Sequence, residues 1–215
     1  MKIAVLGTGN VGGILGVRWA LAGHQVTYGS RNPVSSRVEQ LIKDSGGRAQ
    51  ASTSEDAVER SEVVAMTIPW QHAQNVIENA GSFEGKILID CTNPLKEDFT
   101  GLSIGFNTSA GEKIGEWAKG AKVVKAFNSI GPNVMANPKY GADKAVLFIC
   151  GNDKEAKEIV KDLAADLGFD VIDAGDLYMS RYLEQLAMLW INLAFRQGMG
   201  VDFALKLLHR QEKVK

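Results

Sequence analysis

Three glycines at positions 7, 9 and 12, in Gly7-Thr8-Gly9-Asn10-Val11-Gly12, follow directly on the apolar run Lys2-Ile3-Ala4-Val5-Leu6 and precede a helical pattern. A strand-to-helix turn of that kind can hold a pyrophosphate. Gly7 permits the tight turn, Gly9 lets the backbone approach the phosphates, and Gly12 lets helix and strand pack closely. The helix amino-terminus adds free N–H groups and the positive end of its dipole. A second apolar run, Gln25-Val26-Thr27-Tyr28-Gly29, ends in Ser30-Arg31-Asn32, with Ser30 standing 18 positions past Gly12. A site that takes NAD carries an acid at this tip for the ribose hydroxyls, and an acid would repel a 2′-phosphate. A hydroxyl followed by a guanidinium fork would bind that phosphate. The spacing therefore predicts an NADP(H) site.

Two further strand tips carry residues suited to the other end of such a cofactor. Glu62-Val63-Val64-Ala65-Met66 runs into Thr67-Ile68-Pro69-Trp70, with His72 two positions on, and Lys86-Ile87-Leu88-Ile89-Asp90 runs into Cys91-Thr92-Asn93-Pro94-Leu95. In open α/β sheets ligands bind outside the carboxyl ends of the strands, so these loops are expected to flank the nicotinamide. Proline would hold both loops extended, and Trp70 offers apolar surface to a cofactor, or alternatively to the core. A later tip, Phe127-Asn128-Ser129, offers amide and hydroxyl groups able to orient a ring carbonyl or amide, or simply to form a turn. His72 is read either as a hydrogen-bonding partner for a ring or phosphate, or as an exposed residue in the first turn of a helix. The Gly- and Ser-rich loop from Glu97 to Ser109 is expected to border the site.

Those motifs need a frame of alternating strands and helices, and the pattern supplies one. Helices are expected over about 35–44, 54–60, 71–80, 110–119, 154–167, 182–195 and 201–208, and strands near 48–51, 121–126, 145–150 and 170–174. The fold class is α/β: a Rossmann-type, doubly wound, mostly parallel sheet of about eight strands over residues 1–176, with a small helical carboxyl-terminal part over 177–215. With 215 residues, 45% hydrophobic and 23% charged, the chain can bury a full core. Its 24 Lys and Arg against 25 Asp and Glu leave no basic excess for a nucleic-acid backbone, so no nucleic-acid partner is expected. The most apolar later segment, Leu186–Phe195, is far short of the ~20 residues that span a bilayer, and the amino-terminus lacks the form of a secretory signal. No membrane association and a cytoplasmic location are expected. Cys91 and Cys150 lie in apolar runs and read as small buried thiols, and His24, His72 and His209 have no metal-ligand spacing, so no metal is expected.

Across nearly the whole chain, Gly7-Thr-Gly-Asn-Val-Gly12, Gly29-Ser-Arg31, Thr67-Ile-Pro-Trp70 with His72, Asp173-Ala-Gly175, Ser180-Arg181 and Gly198-Met-Gly200 together resemble the NADPH-dependent deazaflavin reductases. These are the coenzyme F-420:NADP oxidoreductases. The same segments are similar to the cytoplasmic oxidoreductase part of the STEAP metalloreductases. The resemblance implies direct hydride transfer between a nicotinamide and a stacked flavin-like ring, in a cleft between the sheet and the carboxyl-terminal part. By position it places Thr8, Gly9, Asn10 and Val11 on the pyrophosphate and Ser30 with Arg31 on the 2′-phosphate. Ile68, Pro69, Trp70, His72, Asn93, Pro94 and Leu95 would line the cofactor channel. The family's additional basic residue after the Ser-Arg pair has no clean match, although Arg37 could reach the same phosphate. Where the deazaflavin reductases carry a His after the sixth strand this chain has Asn128, closer to the metalloreductase version, which opens FAD or FMN beside coenzyme F-420 as the second ring.

Hydride transfer between two held rings needs positioning rather than an acid or base, so no catalytic residue is assigned, with His72, Asn128 and Ser129 as contributors to orientation. The alternatives are an NADPH-dependent hydroxyacid dehydrogenase or imine reductase, a non-catalytic NADPH sensor, and a ferric or cupric reductase working through free flavin or a partner protein. The apolar residues of the carboxyl-terminal part, among them Leu189, Trp190, Phe195 and Leu208, suggest burial by a second copy, and the resemblance implies a homodimer.

Overall fold

In a computed structural model, which describes residues 1–208 and 210, the chain begins with strand β1 (Lys2–Leu6), helix α1 (Asn10–Leu21) and strand β2 (Gln25–Gly29). Helix α2 (Ser36–Asp44), strand β3 (Ala49–Ser52), helix α3 (Ser54–Glu59), strand β4 (Val63–Met66), helix α4 (Ala73–Asn79) and strand β5 (Ile87–Asp90) continue the alternation. After a long loop come α5 (Ala110–Trp117), β6 (Lys122–Lys125), α6 (Pro132–Ala136) and a short hairpin of β7 (Lys139–Tyr140) and β8 (Asp143–Lys144). Strand β9 (Val146–Gly151), α7 (Lys154–Asp166), β10 (Asp170–Asp173) and α8 (Ser180–Ile191) complete the regular elements.

One eight-stranded sheet has the order β10-β9-β6-β5-β4-β1-β2-β3. All neighbours run parallel except β6 and β9, which pair antiparallel. The chain moves outward from β1 to β3 and then returns to lay β4 on the other side of β1. That reversal is the switch point at which this architecture opens a crevice. Both faces of the sheet are covered, so its central strands are apolar throughout rather than alternating. Ile3 and Val5 of β1 pack into one buried cluster with Leu15, Trp19 and Val160, while Ala4 and Leu6 pack into a second with Val64, Ile77 and Ile114. Three helix amino-termini are capped by side chains: Thr53, Ser109 and Asp153 accept from Asp56, Glu112 and Ala156 N–H respectively. No helix among the described residues is long and apolar enough to cross a membrane.

Several expected elements differ in form. The helix read over 71–80 is a single 3₁₀ turn, Trp70–His72, followed by α4. The helix read over 182–195 begins at Ser180 and gives way to a π turn over Asn192–Arg196. The helix expected over 201–208 does not form; those residues carry no helical turn. Gly198 and Gly200 both have positive φ, which breaks the approach to a helix, and the segment's backbone is engaged elsewhere. Val146 N–H donates to the Leu205 carbonyl at 3.0 Å, and the Phe203 ring stacks on Trp190 with centroids 5.4 Å apart. Tertiary contacts have overridden the apolar periodicity. Helix α6, with Pro132 in its first turn, and the β7–β8 hairpin were not anticipated. His209 lies outside the described residues.

Candidate cofactor groove and ring cavity

A groove of about 360 Å³ opens over the switch point, walled by Gly7, Thr8 and Gly9 after β1, Ser30 and Arg31 after β2, and Thr67, Ile68 and Pro69 after β4. Its shape comes from backbone rules. Gly7 has φ +115°, a conformation that strains residues with a side chain, and a Cβ at Gly12 would collide with the Gly7 carbonyl oxygen. A Cβ at Gly9 would meet nothing, so the missing side chain leaves open space where the groove needs it. Thr67 Oγ1 donates to the carbonyls of Leu6 at 2.9 Å and Gly7 at 3.2 Å, tying the β4 tip to the glycine turn. Helix α1 has neither a capping side chain nor an acid in its first turn, so its terminal N–H groups and positive dipole remain available to an anion. Arg31 is exposed and forms no salt bridge among the described residues. The fit to a dinucleotide carrying a 2′-phosphate is therefore good at both ends of the groove.

Other residues predicted for the cofactor site are placed differently. Arg37 reaches the glycine turn, but its Nε donates to the Thr8 carbonyl at 3.0 Å and the side chain does not line the groove. Trp70 stacks on Trp117, with centroids 5.2 Å apart and planes 26° from parallel. Both indoles belong to the margin of the second core cluster, and Trp70 lines neither the groove nor the cavity described next. His72 is exposed before α4 and lines neither, as is true of Asn10. Pro94 is buried under the long loop, where its carbonyl accepts from Ser103 N–H at 2.6 Å. Ser129 is buried beside Asn128.

A second, apolar cavity of about 660 Å³ lies over the tips of β5 and β6. Val11 in the first turn of α1 lines it, two residues on from Gly9 of the groove, so the two spaces flank the same helix amino-terminus. Asn93 and Leu95 come from the β5 tip, Asn128 and Ile130 from the β6 tip, and Trp190 from α8. The π turn adds Phe195 and Arg196, and such turns often sit at functional positions. Arg196 Nη2 donates at 3.3 Å to the carbonyl of Phe99, which is held at φ +55° on the cavity rim. Among the described residues that line the cavity, only Asp98 and Arg196 carry ionisable side chains.

Beneath the cavity lies a charge cluster that sequence reasoning missed. Lys125, Asp90 and Glu184 are each wholly buried. Lys125 Nζ donates to Asp90 Oδ2 at 2.6 Å and to the Thr92 carbonyl at 2.9 Å, and lies 2.9 Å from Glu184 Oε1. Glu184 in turn accepts from Ala110 and Gly111 N–H, both at 3.1 Å, capping the start of α5. Burial alone would depress the Lys125 ammonium, but the two carboxylates overcome it and hold the proton more tightly than in water. Burial raises the Glu184 carboxyl against the pull of Lys125. Burial also raises the Cys150 thiol to about 11, so this thiol is no nucleophile. The signal in the sequence was an acid and a base at the ends of apolar strands. Asp90 and Lys125 are register partners on adjacent strands, and Glu184 interrupts an otherwise apolar helix face.

Residues 2–94 match the family model described as NADP oxidoreductase coenzyme F420-dependent. The F420-dependent NADP reductase of Methanothermobacter marburgensis is 30% identical over 207 residues, covering 90% of this chain and 92% of that protein. The chain belongs to the F420-dependent NADP reductase family. It is an NADP-dependent oxidoreductase. A crystal structure from Arthrobacter sp. FB24, provisionally described as an F420 dependent NADP-reductase, superimposes with a TM-score of 0.88 at 32% identity, covering 97% of this chain and 100% of that one. The rat metalloreductase STEAP3 (Rattus norvegicus) is 32% identical over 188 residues, but the chain spans only 36% of its length. A reductive aminase from Aspergillus terreus, with a TM-score of 0.67 at 19% identity, shares the fold.

Proposed function

We propose that this reductase transfers a hydride between NADPH, held in the groove, and a flavin-like ring held in the apolar cavity. The observation that carries the reading is the nearness of the two spaces at the α1 amino-terminus, where Gly9 walls the groove and Val11, two residues on, walls an apolar chamber of ring size. Thr8, Gly9 and the α1 amino-terminus hold the pyrophosphate, and Ser30 with Arg31 holds the 2′-phosphate. Ile68 and Pro69 guide the cofactor toward the cavity, while Trp70, stacked away on Trp117, supports that tip from behind.

The cofactors supply the hydride chemistry, and the protein supplies orientation and exclusion of water. No acid or base is required, in keeping with a cavity wall that is almost entirely un-ionisable. Coenzyme F-420, FAD and FMN all present a planar ring system of suitable shape, and we favour coenzyme F-420 because full-length relatives carry that name. We also infer that Leu189, Phe195 and Met199, all more than half exposed, are covered by a second copy in a homodimer, which sedimentation of the purified chain tests.

The test of function is anaerobic oxidation of NADPH with coenzyme F-420, FAD and FMN offered separately, and NADH as control donor. Turnover with one of these rings, lost in Arg31→Glu, is the expected result. Tight NADPH binding without turnover on any of them would sink the reading and favour a sensor or a carbonyl or imine substrate.

A further inference from the structure

Asn93 and Asn128 face each other across the tips of β5 and β6, and their hydrogen bonds dictate how each amide is turned. Asn93 Nδ2 donates to the Asn128 backbone carbonyl at 2.7 Å; a carbonyl only accepts, so Asn93 presents Oδ1 on its other side. Asn128 meets that oxygen with Nδ2 at 3.0 Å and uses the same nitrogen to donate to the Leu183 carbonyl of α8 at 2.9 Å. Both amide hydrogens are thereby consumed. Turning the Asn128 amide over would set its oxygen against two other oxygens, so the arrangement has one sense.

The consequence is an acceptor left over. Asn128 is 6% exposed and lines the cavity, yet its Oδ1 has no hydrogen-bond partner among the described residues. A buried amide oxygen in that state costs free energy that a donor would recover. A role for the Asn128 amide as donor to a ring carbonyl is closed, because no hydrogen remains to donate.

We propose that Asn128 Oδ1 is a specificity-determining acceptor for what occupies the cavity: it takes a hydrogen bond from a planar amide or imide N–H and favours rings that carry one. The proposal rests on the assignment of the cavity to the ring pair. Two groups present that chemistry, the carboxamide of the nicotinamide and the imide N–H of a flavin or deazaflavin pyrimidine ring. Oδ1 is closed to water in this conformation, so a ligand reaches it with a local shift of the groups around it.

Dissociation constants of the whole chain for two ligand pairs test it, read by fluorescence quenching and calorimetry rather than turnover. In one arm, lumiflavin is compared with 3-methyllumiflavin on NADP-saturated protein. In the other, NADPH is compared with the reduced 3-acetylpyridine analogue, whose acetyl group has no N–H. Loss of the donor is expected to weaken binding about tenfold or more in one arm, and that arm identifies the donor. The discrimination should fall to within about twofold in Asn128→Ala, and its persistence there overturns the proposal. Equal binding within both pairs on the unaltered protein also overturns it, whatever the fate of the variant, and leaves the reductase reading intact. If no flavin ring binds, the reductase reading fails while the dinucleotide arm still decides on Asn128.

Discussion

The dinucleotide groove and the ring cavity share one edge of one sheet and are built in opposite ways. The groove is a backbone object: a turn that needs positive φ at Gly7, a helix start stripped of capping groups, and a contact that no Cβ at Gly12 could survive. Its glycine turn and its Ser30-Arg31 tip lie within the first 31 residues, and the β4 tip joins them from further along the chain. The cavity is a side-chain object assembled from segments spread between positions 11 and 196, with Val11, Asn93, Asn128 and Trp190 meeting only after β5, β6 and α8 are packed. The lock beneath it, Lys125 with Asp90 and Glu184, is buried and ionic. On the proposed reading, specificity for the dinucleotide resides in local geometry and specificity for the acceptor in long-range packing.

The largest effect should come from removing that lock. Lys125→Met leaves two carboxyl groups facing each other without their cation, and loss of one partner of a buried ionic network costs about 3–5 kcal/mol. For a chain of this size that lowers the melting temperature on the order of 10 °C by calorimetry, and acceptor binding should weaken more than NADPH binding. An equal loss for both ligands would erase the contrast between the two regions.

Next in size is Arg31→Glu, which replaces the proposed phosphate partner by a repelling charge. NADPH affinity should fall at least about a hundredfold by fluorescence titration while NADH affinity holds within about threefold. Gly131→Ala probes the other region, because its Cβ would meet the Trp190 ring at 2.7 Å. Overpacking of this kind costs about 1–3 kcal/mol, and steady-state kinetics should show it as a several-fold rise in acceptor KM with the NADPH KM unchanged.

Alkaline pH offers a gentler probe of the lock. The Lys125 proton is held above the ordinary lysine value of 10.5, so the folded state binds it more tightly than the unfolded chain does. That stabilisation is complete below about pH 10.5 and is lost as pH rises through the higher folded value. Melting temperature should therefore fall with pH above this point, more steeply in the native chain than in Lys125→Met. The smallest effect belongs to His72→Ala, expected to change NADPH oxidation less than about twofold because the imidazole is exposed and touches neither space.

The amino-acid sequence by itself determined the alternation of strands and helices, the glycine turn after β1 and the Ser30-Arg31 tip after β2. Each follows from rules acting within a few residues: apolar runs that must be buried, φ angles open to glycine, and a helix start that attracts anions. Only the tertiary structure decided what lies opposite what. It turned Trp70 onto Trp117 instead of the cofactor space, and it drew residues 201–208 out of the helix their periodicity suggested, onto Trp190 and Val146. It also converted Asp90, Lys125 and Glu184 from three strand and helix residues into one ionic cluster. Such pairings depend on sheet register and helix docking, which bring together groups 35 to 94 positions apart and which no local pattern encodes. The unpartnered Oδ1 of Asn128 is the sharpest case, since among the described residues the amide is turned that way by the two bonds its Nδ2 gives to Asn93 and Leu183.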